Sequence, residues 1–87
     1  VKLPTKFTLA GSEYQVDYKA DIEPCGTTWR DRYLVQIKAS LEQRAKETTF
    51  CHELVHCILF AMGKQQHDEE FVDGFANLLH QYMKTQK

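Results

Sequence analysis

The chain lacks a disulfide framework: its three cysteines, Cys25, Cys51 and Cys57, are odd in number, and two of them fall in a segment with helical patterning. Reduced thiols that serve as small packing residues are the expectation. It also lacks an apolar run long enough to cross a bilayer, an N-terminal stretch of signal-peptide type, an internal repeat and any low-complexity segment. These absences predict a soluble, cytoplasmic protein without a membrane partner. Nor does either sign of charge dominate. Eleven basic residues against 12 acidic ones leave a net charge of -1, which gives no general electrostatic reason to expect nucleic acid as a partner. With 87 residues, 43% of them hydrophobic, the expectation is a single domain, residues 1–87, with a core near the minimum for independent stability. A metal ion joining two elements of so small a domain would contribute to folding as well as to chemistry.

The first half of the chain has the two-residue period of strands. Phe7 and Leu9, then Tyr14, Val16 and Tyr18, flank a short connection at Ala10-Gly11-Ser12 and predict a hairpin. Asp21 to Thr28, with Pro24 and Gly26, has loop character. Thr27-Thr28-Trp29 and Tyr33 to Ile37 predict two further strands joined by a tight turn at Arg30-Asp31. From Ser40 the period changes. Ser40-Leu41-Glu42-Gln43 has the form of a capping box, and Leu41, Ala45, Thr48, His52, Val55, His56, Leu59 and Met62 recur at helical steps until Gly63 offers a stop. After a polar linker, Lys64 to His67, the apolar stripe Val72, Phe75, Ala76, Leu79, Met83 predicts a second helix ending in the polar tail from Lys84. The order β-β-β-β-α-α predicts an α+β domain: a small, mostly antiparallel sheet of about four strands, followed by two packed helices lying on one of its faces.

Inside the first helix lies His52-Glu53-Leu54-Val55-His56, an HExxH pentad. Helical positions i and i+4 share a face, so both imidazoles can reach one metal ion while Glu53, about a hundred degrees round, aims at a water bound there. Catalytic zinc takes three protein ligands and keeps one open position, so a third ligand must come from elsewhere. From His56 to Met62 the helix advances about 9 Å, a distance that four extended linker residues recover at roughly 3.3 Å each, which returns Glu69 to the level of His56. Glu69 falls on the inward stripe with Val72 and Ala76, whereas Glu70, the alternative ligand, aligns with Gly74, Asn77 and Gln81 on the polar face. Asp73 lies one turn further along, near the level of His52, where a carboxylate can accept the outer ring N–H of a ligand histidine and fix its tautomer. Taken separately, Glu69 and Asp73 are ordinary first-turn acids that complement a helix dipole; their joint position after the pentad gives them a second role. His67 has the setting of a linker residue, and His80 that of a surface or helix-end residue.

His52-Glu53-Leu54-Val55-His56-Cys57-Ile58, the short spacer, and Glu69-Glu70-Phe71-Val72-Asp73-Gly74-Phe75-Ala76-Asn77-Leu78-Leu79 resemble the ImmA/IrrE-like metallopeptidases, above all their very short phage and prophage members. The resemblance spans roughly residues 26 to 79, and matching Phe75-Ala76 to the family's F-A-x-x-L-L segment puts the third ligand on Glu69. It implies a minimal gluzincin domain that carries zinc and hydrolyses peptides, with a peptide or protein, such as a regulatory protein, as substrate and the host cytoplasm as its place of action. Larger relatives add a helix-turn-helix or sensor domain, for which these residues hold no counterpart.

The chemistry expected is therefore zinc-dependent peptide hydrolysis, with His52, His56 and Glu69 as ligands and Glu53 as general base. Tyr33 to Ile37 offers a strand on which an extended substrate could pair if it lies at a sheet edge, and Tyr82, His80 and Arg32 are candidate oxyanion donors. Two alternatives stand beside this reading: a non-catalytic, zinc-stabilised protein-binding module of phage origin, and an interaction protein without metal. Glu53 separates the first, since a structural site has no use for a base, and metal content separates the second.

Overall fold

The structure, a computed structural model, describes residues 1–86. It is an α+β fold in which a four-stranded mixed sheet precedes two packed helices. Strand β1 (Lys6–Leu9) turns into β2 (Ser12–Lys19) through Ala10 and Gly11, both at positive φ, +51° and +81°. Such backbone suits the right-handed twist of a two-residue hairpin, and Leu9 duly pairs with Ser12. Alternation along β2 points Tyr14, Val16 and Tyr18 inward and Glu13, Gln15, Asp17 and Lys19 outward.

β3 (Gly26–Trp29) and β4 (Leu34–Lys38) form a second antiparallel pair, joined by a single 3-10 turn at Arg30–Arg32 and by Tyr33 in left-handed conformation, φ 48°. The tight turn expected at Arg30-Asp31 is thus a four-residue connection, Arg30 to Tyr33, and the strand begins at Leu34 rather than Tyr33. The sheet order is β1-β2-β4-β3, with β2 and β4 parallel. Two of the three pairings are antiparallel, as the strand spacing predicts; the central one is not. The β3–β4 hairpin docks its second strand against β2, which leaves β3 as a free edge and puts β4 in the interior. The condition on which Tyr33 to Ile37 would pair with a substrate, a place at the sheet edge, is not met: Val35 and Ile37 are fully buried and both sides of β4 are paired.

Helix α1 (Gln43–Ala61) is apolar on two sides. Phe50 and Cys57 join Tyr14, Val16, Val35 and Ile37 in the core against the sheet, while Cys51, Val55 and Leu59 meet Val72 and Ala76 of helix α2 (Glu69–Lys84). Among the described residues α1 lies on the sheet and α2 packs chiefly on α1, so the two helices do not share the sheet face equally. Burial pushes the Cys51 and Cys57 thiols up to about 11, as befits packing residues that stay reduced and unreactive. Ser40 does not cap α1: the N-cap is Glu42, and no side chain closes that end. Gly63, at φ +85°, ends the helix as expected, its N–H and that of Lys64 returning to the carbonyls of Phe60 and Leu59. No helix is long and apolar enough to cross a membrane among the described residues.

Candidate metal centre

The five-residue connection from Lys64 to Asp68 reverses the chain so that the first turn of α2 meets the middle of α1. Asp68 caps α2 by accepting the amide N–H of Glu70 at 3.2 Å. Cap and connection together set the rotation of α2, and this rotation decides which acid faces the histidines. Glu69 does, with Oε2 3.6 Å from His52 Nε2 and Oε1 3.5 Å from His56 Nε2. The two Nε2 atoms are 3.2 Å apart. Ligand atoms about 2.0–2.1 Å from a tetrahedral zinc lie roughly 3.3 Å from one another, so the triangle matches that ion in size as well as in chemistry. Among the described residues, His52, His56 and Glu69 are the group that converges in this way; Glu70, the alternative, is outside it.

Hydrogen bonds fix which ring nitrogens are bare. His52 Nδ1 donates to Asp73 Oδ1 at 2.9 Å, leaving Nε2 with its lone pair. His67 Nε2 donates to the Lys64 carbonyl at 2.8 Å, so its Nδ1 accepts from His56 Nδ1 at 2.6 Å, and His56 Nε2 is bare in turn. Two lone pairs facing each other at 3.2 Å repel unless a cation or proton lies between them. Burial lowers the pKa of His56 below the ordinary imidazole value, which favours the neutral form that a metal requires. The donor set therefore fits zinc: two imidazole nitrogens and one carboxylate, on two elements.

Glu53 is 7% exposed and lies between α1 and the free edge strand. Thr28 of β3 donates its hydroxyl to Glu53 Oε1 at 2.7 Å. Close approach of β3 to α1 is possible because residue 26 is glycine: a Cβ there would stand 2.6 Å from Thr49 Cγ2 and 3.1 Å from Glu53 Cγ. Beside the histidines, Cys25, Gly26, Thr48, Thr49, Asp73 and Asn77 line a recess of about 370 Å3 that opens onto both His52 and Glu53.

The sequence-predicted residues His52, Glu53, His56, Glu69 and Asp73 come together; the three oxyanion candidates do not. Arg32 lies over the Trp29 ring, Tyr82 is exposed on the outer side of α2, and His80 is buried, donating Nε2–H to Glu47 Oε1 at 2.8 Å. His80 is thus a bond between helices and not a surface residue. His67 is more than linker, since it holds His56. Its signal was weak: a lone histidine in a polar connection acquires this role only through the turn that folds it back on α1. Comparison with known protein families, with curated proteins and with solved structures finds no match for this chain.

Proposed function

We propose that the protein is a zinc-dependent peptide hydrolase, a reading in keeping with the resemblance of its two motifs to the ImmA/IrrE-like metallopeptidases. The observation that carries it is the triangle of His52 Nε2, His56 Nε2 and the Glu69 carboxylate, at 3.2 to 3.6 Å, beside a carboxylate that takes no part in it. Zinc held there supplies a Lewis acid and brings the pKa of a water towards neutrality. Glu53 is the base: with Oε1 engaged by Thr28, Oε2 takes the proton of the attacking water and later returns it to the leaving amine. Asp73 and His67 hold the two imidazoles in the tautomers that present Nε2.

An extended substrate pairs with β3, not β4. β3 has an unpaired edge, and it runs past Glu53 at Thr28. Strand addition there aligns a peptide carbonyl with the site using backbone hydrogen bonds alone, which supplies affinity without sequence preference. We assign the activity to the cytoplasm. The non-catalytic binding module is the second reading, and the free β3 edge would serve it equally well.

One zinc per chain is expected by elemental analysis after reconstitution, and Glu53→Gln is expected to keep that zinc and the fold while losing hydrolysis of a diverse peptide library. Substoichiometric metal would sink the site. Equal turnover by the variant, with contaminating protease excluded, would remove Glu53 from its role; zinc binding without cleavage by either protein would favour the binding module.

A further inference from the structure

Helix α2 carries two apolar stripes where one completes the fold. Val72, Ala76, Leu79 and Met83 pack towards α1. Phe71, Phe75, Leu78 and Tyr82 repeat the same four-three-four spacing one position earlier, yet remain 50, 46, 67 and 61% exposed. Phe75 was expected in the inner stripe and belongs to this outer one. Phe71 and Phe75 also form one wall of a groove of about 440 Å3, whose other wall is Ile58, Leu59 and Met62 of α1.

We propose that this stripe joins two copies of the chain, with their α2 helices antiparallel about a twofold axis between Phe75 and Leu78. The proposal stands independently of any metal. Four-three-four spacing is that of a helix–helix seam. The surface is also self-complementary. The proposed axis sets Tyr82 of each copy opposite Phe71 of the other, and Leu78 opposite Phe75, so the most protruding side chains of one copy face the groove of the other, as a closed twofold contact requires.

With aromatic side chains worth about 150–250 Å2 apiece, the stripe offers on the order of 500 Å2 per copy, at the lower limit for a specific interface. Area alone sets no affinity, and an interface of this size belongs to the weak class, with a dissociation constant expected at roughly micromolar order or above.

The test is mass by light scattering and sedimentation, from about 1 to 500 μM around that constant. A concentration-dependent dimer is expected. Leu78→Glu should weaken it at least about thirtyfold while the zinc content and the melting of dilute protein stay unchanged. Tyr82→Ser is the second variant, should Leu78→Glu disturb the fold. Direction is read by oxidising an equimolar mixture of Phe75→Cys and Leu78→Cys proteins in a Cys25→Ser background, where unlike pairs should predominate. A monomer across the whole range overturns the proposal, as does a dimer unmoved by both Leu78→Glu and Tyr82→Ser, or predominance of like-pair disulfides.

Discussion

Two imidazoles one helical turn apart look equivalent in the sequence, but their outer nitrogens are held by different chemistry. His52 gives its Nδ1–H to a carboxylate; His56 gives its own to another imidazole, itself tied to a backbone carbonyl. Removing either support frees a ring to rotate and to change tautomer. Asp73→Ala is therefore expected to weaken zinc affinity about tenfold to a hundredfold at unchanged stoichiometry, and His67→Ala to act on the same scale through His56. A control must remove a nearby charge and nothing else. Asp68 is unsuitable, since it caps α2 and its loss would cost about 1 kcal/mol of helix stability. Glu70→Gln is the control, because Glu70 is exposed and outside the ligand group. Equal losses from Asp73→Ala and Glu70→Gln in competition titrations would reduce Asp73 to a general field effect. At this scale the sequence is informative where residues share a helix and a fixed spacing, as His52, Glu53 and His56 do on α1 and Glu69 and Asp73 on α2. It is silent where the partner comes from an irregular connection, as with His67, or across a gap of 25 residues, as with Thr28 and Glu53.

Between elements, legibility follows the range of the interaction that decides the outcome. The β1–β2 hairpin and the end of α1 were foreseeable because local backbone chemistry at Gly11 and Gly63 determines them. The parallel β2–β4 pairing was not, since the alternation in both strands is satisfied by either direction and only the placement of the β3–β4 hairpin chooses. The same holds for the bond between α1 and α2, where Glu47 and His80, 33 residues apart, are 7% and 4% exposed and meet at 2.8 Å. Hydrogen bonds from His80 and then Gln43 hold the Glu47 carboxyl below its usual pKa. A depressed carboxylate contributes stability that is complete above its unfolded value, near 4.5, and is lost as pH falls through the lower folded value. His80→Ala should accordingly cost about 1.5–3 kcal/mol near neutral pH, as befits a hydrogen bond to a buried charge. Its loss of stability on acidification should also be shallower than that of the parent. Urea unfolding of metal-free protein at several pH values measures both; an unchanged midpoint would mean that water replaces the imidazole without cost.

For the whole molecule, the two cores are the relevant fact. One is shared by the sheet and α1; the other is only the α1–α2 contact, built from Cys51, Val55, Leu59, Val72 and Ala76. The second is small, and among the described residues α2 packs chiefly on α1. A metal bound by His52 and His56 on one side and Glu69 on the other would cross-link the layers at their weaker seam. Ligand binding to the folded state alone stabilises by mass action, about 2.7 kcal/mol at a hundredfold excess over the dissociation constant. A domain of this size responds with roughly 4–8 °C in Tm per kcal/mol, so saturating zinc should raise Tm by about 10–20 °C over chelator-treated protein. Glu53→Gln should show the same shift, because the base holds no metal, while Glu69→Ala should lose most of it. The melts belong at the lowest usable concentration, where pairing of α2 stripes adds nothing by mass action. Stoichiometric zinc that left Tm within a degree or two of the chelated protein would mean that α2 is already docked as firmly without it, and that the ion contributes chemistry but no cross-link.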